Sequence, residues 1–538
     1  MKFTKYVLGL AAAASIAIAC SPTEEIDKLK DSIGIRINTE LMTKSAYVKV
    51  FDIQNGLVPS NVKIQVTSSN EQDVFQVSGS RDLTLVEGRI GIGLHPRAFN
   101  GSESASVDLL ITADNYLDVT KTITFDTDEN GQDVLNVDIP MVNLSNPPEG
   151  IEVSEVSASL SDGSLNEELS LVVGSDSAKP ELDITLPQGL KFKNKSGQFV
   201  SGSSLNLNVA SFSADDVNAV NAFPGGFASD NINVNGEIVS GGFVTAGFAS
   251  FEMKIGNEEI KSFDQAIEVR SKISSEVINP NTGELIKSGD TLEIYSFDED
   301  NNQWTFEGDG NVVAGDSGLE ISYKQDHFSF WSYGFKVPLC ESNVLFNWDL
   351  PSSRPQTYKV EFRATGTKQS LWSGTLYNVQ DNSTWYVWSN WFRYYASGVN
   401  ADFIIKDPVT EDVLAFYAGF VYCQEGLEKV VTVPETAVSS GDEVTFKAVG
   451  YCEGKANYEF RPSFTVEYKD RQKGDSVYKT LGYVKNGEFS TPYLEVGNSY
   501  DFRVIYDGDI YEKTNILVES GSYDFAFDVP ADLCATLP

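Results

Sequence analysis

Apolar residues in this chain recur at every second position, and that period decides most of what it can fold into. Val62, Ile64 and Val66 alternate with Lys63, Gln65 and Thr67, and Val107, Leu109 and Ile111 repeat the pattern, as do Leu135, Val137 and Ile139. A period of two describes strands with one face in a core and one in water, the pattern of antiparallel sheets. Strongly periodic helical stretches are nearly absent. Asn55-Gly56, Asn130-Gly131 and Asp507-Gly508 fall between the runs and suit tight hairpins, whose central residues need positive φ. Several short strands per hundred residues imply an all-β chain of tandem antiparallel β-sandwich domains. At 538 residues, 41% hydrophobic and 12% aromatic, the chain has material for three to four packed cores.

The start of the chain obeys a different rule. Lys2 and Lys5 precede an unbroken apolar run from Tyr6 to Ala19, followed by Cys20. Those 14 residues fall short of the roughly 20 that a spanning helix needs. They have the dimensions of a secretory signal peptide with small residues at the cut. Ser15-Ile16-Ala17-Ile18-Ala19-Cys20 resembles the lipobox of bacterial lipoproteins, which implies cleavage after residue 19 and lipid on Cys20. The polar sequel Ser21-Pro22-Thr23-Glu24-Glu25 resembles the export tag of Bacteroidota lipoproteins, which implies the outward face of the outer membrane. The net charge is −37, and −39 without the two leader lysines, so the chain repels phosphate backbones and nucleic acid is not an expected partner. Anionic lipid heads repel it too. The expected membrane partner is therefore the bilayer interior, reached through two or more acyl chains, since one chain anchors only marginally.

Boundaries are expected where strand patterns stop. Residues 1–19 form the signal peptide and 20–32 a charged tether. The domains follow at 33–146, 147–336, 337–436 and 437–538. The first, with V48-K-V-F-D-I-Q-N-G-L-V-P-S-N-V-K-I-Q-V66 and A113-D-N-Y-L117, resembles the transthyretin-type or carboxypeptidase-regulatory-like sandwich. That implies a fold and no peptidase activity. In the second, Phe223-Pro224-Gly225-Gly226-Phe227, G242-F-V-T-A-G-F-A-S-F251, N279-P-N-T-G283 and Y295-S-F-D-E-D-N-N-Q-W-T-F-E-G308 follow in an order similar to a segment of the cartilage intermediate layer proteins. This implies an extracellular β module and carries over no catalytic residue. The last two domains read as Ig-like copies of one another. Cys340-Glu341 answers Cys452-Glu453, Y358-K-V-E-F-R363 answers F464-T-V-E-Y-K469, Asp402-Phe403 answers Asp501-Phe502, and Val433-Pro434 answers Val529-Pro530, at offsets of 112, 106, 99 and 96.

Five cysteines leave four once Cys20 is lipidated, and thiols outside the cytoplasm are normally oxidised. Three pairings are open to four cysteines. Cys340–Cys423 and Cys452–Cys534 are the expected ones, with separations of 83 and 82 residues and one staple per C-terminal domain.

No residue set argues for catalysis, and no cofactor is expected. The chain has two histidines, His95 before a proline and His327 within an aromatic strand pattern. Gly315-Asp316-Ser317-Gly318 matches the string around a serine-protease nucleophile, but such a serine needs a base, and neither histidine has the family's context. It reads as a turn. Asp126-Thr127-Asp128-Glu129-Asn130-Gly131 copies the first half of a calcium loop, but position 12 is Val137 and the flanks are strands, so a polar hairpin turn is expected and no metal. Asp298-Glu299-Asp300-Asn301-Asn302 reads the same way.

One cluster invites a ligand. Trp385, Tyr386, Trp388, Trp391, Phe392, Tyr394 and Tyr395 lie within eleven residues. Flat indoles stack on sugar rings, so Trp385, Tyr386, Trp388, Trp391 and Tyr394 are candidate glycan contacts. The competing reading is a core stripe, because Trp388, Trp391, Phe392 and Tyr395 have i, i+3, i+4, i+7 spacing. The expected protein is a non-enzymatic surface lipoprotein that binds a ligand, either a glycan or another surface protein. Its architecture is similar to accessory glycan-binding lipoproteins of nutrient uptake. The alternative is a structural or adhesive protein.

Overall fold

The computed structural model describes residues 35–528 and Cys534, apart from 39–43, 78, 102–103, 127–133, 175–180, 316–317, 340–343, 352–355, 388–399, 408–410, 421–427, 434–443, 485, 492–493, 507 and 520. The regular structure of these residues is almost entirely strand, 64% against 3% helix, in tandem β modules.

The first module places Val74–Gln76, Arg89–Leu94, Ser45–Asp52 and Val134–Met141, in that order, in one sheet, and Lys63–Val66, Ser104–Thr112 and Val119–Asp126 in the other. Val107, Leu109 and Ile111 are buried between them together with Ile139, so the alternation read from the sequence does face a core. Two of the expected hairpins differ. Asn55-Gly56 turns the chain, with Gly56 at φ +70°, but the strands on either side of it lie in opposite sheets. The strands flanking the Asp126–Gly131 segment are likewise in opposite sheets, and residues 127–133 lie outside the described residues. Turn chemistry fixes a reversal, not which sheet the chain re-enters. The third expected hairpin forms, with Tyr506 paired to Asp509 and Gly508 at φ +83°, while residue 507 lies outside the described residues.

The third and fourth modules share one strand order. In the third, Thr384–Val387, Val344–Asp349 and Glu428–Thr432 form one sheet, and Ser370–Val379, Gln356–Ala364, Ala401–Lys406 and Val413–Phe420 the other. In the fourth, Glu488–Thr491, Val444–Cys452 and Gly521–Asp528 answer the first sheet, and Lys479–Val484, Phe464–Asp470, Ser499–Tyr506 and Asp509–Leu517 the second. The registers match as well. Arg363 faces Asp402 and Phe362 faces Phe403 in one, while Lys469 faces Asp501 and Tyr468 faces Phe502 in the other. The cysteine correspondence does not fit this alignment. Cys452 is the last residue of its strand, whereas Cys340 precedes the matching strand.

In all three sandwiches the opening strand pairs in parallel with the closing one. A period of two cannot distinguish this from antiparallel pairing. The strand Ile35–Asn38, assigned by sequence to the first domain, instead pairs in parallel with Lys455–Arg461 of the fourth module.

The second module is built differently. Ala228–Val234, Glu237–Ile255, Phe330–Val337, Thr291–Asp298 and Gln303–Gly315 each pair with the next, and the last pairs back to the first. This closes a five-stranded barrel filled by Ile232, Phe243, Tyr295, Phe297, Trp304 and Phe330. The long strand Glu237–Ile255 continues out of the barrel into a sandwich with Ile151–Ser161, Ser204–Phe212, Ser262–Ile273 and Leu182–Leu186. It bends at a bulge where Gly247 has φ +150° and a Cβ would meet the Tyr333 ring at 2.7 Å. Phe330–Val337 is buried on both faces, which explains why its large apolar residues Phe330, Trp331, Tyr333, Phe335 and Val337 do not keep to one face.

The modules dock on one another. The cores of the second module's sandwich and the third module merge, and buried Gln369 bridges them by accepting from Ile278 N (3.3 Å) and donating to Thr245 O (3.4 Å). The first and fourth modules meet through charge. Arg89 Nε donates to Glu467 Oε1 at 2.9 Å, Arg503 Nε donates to Glu467 Oε2 at 3.0 Å, and Arg503 also pairs with Glu87. Arg89, Glu467 and Arg503 are each 5% exposed or less.

Candidate functional site

A cleft of about 290 Å³ opens where three modules meet. The first sandwich contributes Lys121, Thr122 and Thr124 from the strand Val119–Asp126, with Asp108 and Asp138 beside them. Thr122 and Thr124 face outward because the alternate positions Ile123 and Phe125 fill the core, while Lys121 lies on the side of those two where the core ends and is exposed. The second module supplies the floor and the opposite wall. A short helix, Val217–Asn221, is capped by Asp216, whose carboxylate accepts from Asn218 N and Ala219 N. It leads into Phe223-Pro224-Gly225-Gly226-Phe227. Gly225 and Gly226 adopt φ +68° and +80°, a conformation that favours glycine. The reversal brings Phe223 and Phe227 into a stack at 4.4 Å, and Phe223 stacks on Trp304 at 5.0 Å. Asn221, Ser229, Asp230 and Asn231 edge the cleft, and Ser373 reaches in from the third module.

Hydrogen bonds across the module boundaries hold this shape. Gly225 N donates to Thr120 O (3.3 Å), and Asn302 Nδ2 donates to Thr122 Oγ1 (3.3 Å). Thr122 Oγ1 in turn donates to Asp108 Oδ1 (2.7 Å), and Ser373 Oγ donates to Asn221 Oδ1 (2.9 Å). Lys121 is solvent-exposed within the cleft yet walled by protein, and loss of bulk water lowers its pKa while Asp138 pulls the other way. Trp304 is buried, and its indole N–H has no hydrogen-bond partner among the described residues. Serine, threonine and asparagine both donate and accept, so the lining suits a ligand rich in hydroxyl or amide groups.

Beside the cleft, the first and second modules also meet at a carboxylate cluster. Burial pushes Asp118 up to about 7, helped by repulsion from Glu252 and Glu259 and opposed by Lys254 and Lys261. Burial likewise pushes Glu299 up to about 8, with Lys261 opposing and Asp118, Glu252 and Glu259 adding to the rise. Lys261 Nζ lies 2.7 Å from Glu259 and 3.8 Å from Glu299. No group of three or more potential metal ligands forms among the described residues.

The sequence-derived candidates lie elsewhere. Cys20, Cys340 and Cys423 fall outside the described residues, as do Trp388, Trp391 and Tyr394. Trp385 and Tyr386 belong to the strand Thr384–Val387, in register with Phe346 and Leu345. Cys452 and Cys534 form a disulfide with a Cα separation of 5.6 Å. His95 Nδ1 accepts from Arg97 N at 3.2 Å, and His327 Nδ1 lies 2.9 Å from Asp326. Gly315 pairs with Gly318, so that string spans a two-residue turn, with residues 316 and 317 outside the described residues. Asp298 pairs with Gln303, and its Oδ1 accepts from Asp300 N and Asn301 N, closing a hairpin loop. The cleft itself was missed because its polar residues are ordinary outward positions of strands in separate domains. Its one visible signal is the paired glycine between Phe223 and Phe227.

No known protein family model matches the chain, and no curated protein matches it. Among solved structures, the chain is similar to the Bacillus anthracis TIE protein, at 8% identity over 71% of this chain and 75% of that one, with a TM-score of 0.13. It is also similar to the pilus adhesin SpaC from Lactobacillus rhamnosus GG, at 8% identity over 70% and 56%, TM-score 0.12. A tetra-tandem repeat of a large adhesion protein aligns at 7% identity over 88% and 100%, TM-score 0.09. At such scores the likeness carries no argument about function.

Proposed function

We propose that this chain is a non-enzymatic surface lipoprotein, anchored through Cys20, whose docked β modules hold a ligand-binding cleft clear of the membrane. The observation that carries the reading is the cleft's construction from three modules tied by Gly225–Thr120, Asn302–Thr122 and Ser373–Asn221. A site shared in this way is preformed only if the modules stay docked, and preformed sites lose less entropy on binding. The signal-like start and the lipobox resemblance support the anchor. Labelled palmitate should enter the wild-type chain and not Cys20→Ala, and added protease should remove the protein from intact cells. Equal labelling of both chains contradicts the anchor, and full protection contradicts surface exposure.

A second reading, an adhesive protein that contacts other proteins, has one observation in its favour. The strand Asp509–Leu517 lies at a sheet edge and exposes Ile510, Tyr511 and Leu517. Unpaired edges of this kind accept an added strand. Charged residues along it and Asn515 at φ +55° next to a register shift blunt that edge, so the cleft is preferred.

A further inference from the structure

We infer that the cleft between the first three modules is a saccharide site, selective for neutral sugars over anionic ones, a reading that rests on the proposed ligand-presenting role. Two features of the cleft converge on that ligand class. Its walls carry hydroxyls from Thr122, Thr124, Ser229 and Ser373 and the carboxamide of Asn221, which match a ligand whose every polar group both donates and accepts. Its floor is apolar, with half-buried Phe227 stacked on the buried Phe223 and with Trp304 behind it, so that Phe227 is the ring that can meet the C–H face of a sugar.

Charge excludes the anionic alternatives. Asp108, Asp138 and Asp230 line the cleft against the single cation Lys121, three negative groups and one positive, for a lining of −2. The whole chain carries −37. A sulfate, phosphate or uronate would meet repulsion at long range and on contact. Size sets the upper limit. About 290 Å³ lies at the lower edge of the roughly 300–1,000 Å³ typical of small-molecule sites, enough for one or two rings and not for a folded partner.

The test uses the mature full-length chain. Glucose, galactose, mannose, N-acetylglucosamine, maltose and cellobiose are titrated by calorimetry and by tryptophan fluorescence, with glucuronate as the anionic control. At least one neutral sugar is expected to bind with Kd on the order of 1 mM or tighter, and glucuronate at least about tenfold more weakly. Asn221→Trp fills the cleft from an exposed position, and Lys121→Ala removes a wall side chain. Each should weaken binding at least about tenfold while leaving the melting midpoint near wild type. Binding unchanged in both variants, or no neutral sugar bound at all, overturns the inference. Sugar binding abolished by Trp385→Ala and preserved in Asn221→Trp also overturns it, placing the site in the aromatic run while leaving the ligand-presenting role intact. Loss of palmitate labelling or of surface exposure would instead strike at that role.

Discussion

Two junctions in this molecule solve the same docking problem with opposite chemistry. The second and third modules merge their apolar cores, with a single polar bridge at Gln369. The first and fourth meet across a carboxylate held by two arginines, with the Glu467 side chain 1% exposed. Apolar burial is non-directional and scales with area, so the merged core sets how firmly its two modules hold together. A buried charge cluster stabilises little in net terms, because desolvation offsets attraction, yet an incomplete one is heavily penalised. The ionic junction therefore fixes which surface docks and in what register, and its strength depends on all its members being present. It joins parts of the chain 378 residues apart in sequence.

The ionic junction should be the easier one to break. Glu467→Ala leaves the buried Arg89 guanidinium without its carboxylate and Arg503 with Glu87 alone, and is expected to cost about 3–5 kcal/mol, whereas replacing Arg89, Glu467 and Arg503 together with apolar residues of similar volume should be near neutral or stabilising. Calorimetric melting of both variants checks this, and similar losses in the two would refute the distinction between an incomplete lock and an absent one. Removing the Cys452–Cys534 disulfide as Cys452→Ala/Cys534→Ala should cost about 2–4 kcal/mol, felt in the fourth module and not at the merged core. Hydrogen exchange resolved by module reads that difference.

At the apolar junction a smaller effect is expected. Gln369→Ala leaves the Ile278 N–H without its acceptor in a buried place, a loss of about 1–3 kcal/mol measurable by denaturant unfolding. The junction of the first and second modules should respond to pH. Asp118 and Glu299 rise in the folded chain to about 7 and 8, against an unfolded carboxylate value near 4. The folded chain thus keeps protons that the unfolded chain releases. The cluster's contribution is greatest below about pH 4, falls as pH rises towards 8 and is level beyond. Asp118→Asn and Glu299→Gln should raise the midpoint at pH 8 and flatten its decline with pH. An unchanged slope in both would show that the cluster is hydrated like the open surface.

The sequence disclosed the local features and hid the distant ones. Val107, Leu109 and Ile111 announced their sandwich because one face meets a core and the other water. Asp507-Gly508 announced its hairpin because few other residues tolerate that turn. The all-β tandem architecture followed from these. The barrel did not, since its closure rests on Ala228–Val234 pairing with Gln303–Gly315, and no period within a strand records which strand lies beside it. The pairing of Ile35–Asn38 with Lys455–Arg461 is parallel and spans most of the chain, and no periodic signal encodes it. Arg89 reads as an ordinary strand-edge charge in R-I-G-I-G-L, and only Glu467 and Arg503 reveal why it is buried. The cleft is hidden for the same reason: Thr122, Asn221 and Ser373 are unremarkable until three modules bring them together.

The docking of the first module on the fourth is tested most directly by a double-mutant cycle on Arg89 and Glu467. Melting free energies of wild type, Arg89→Ala, Glu467→Ala and the double variant should yield a coupling within the range of about 0.5–3 kcal/mol found for residues in contact. Additivity within about 0.5 kcal/mol would mean that the two side chains do not meet in solution and would contradict the braced arrangement.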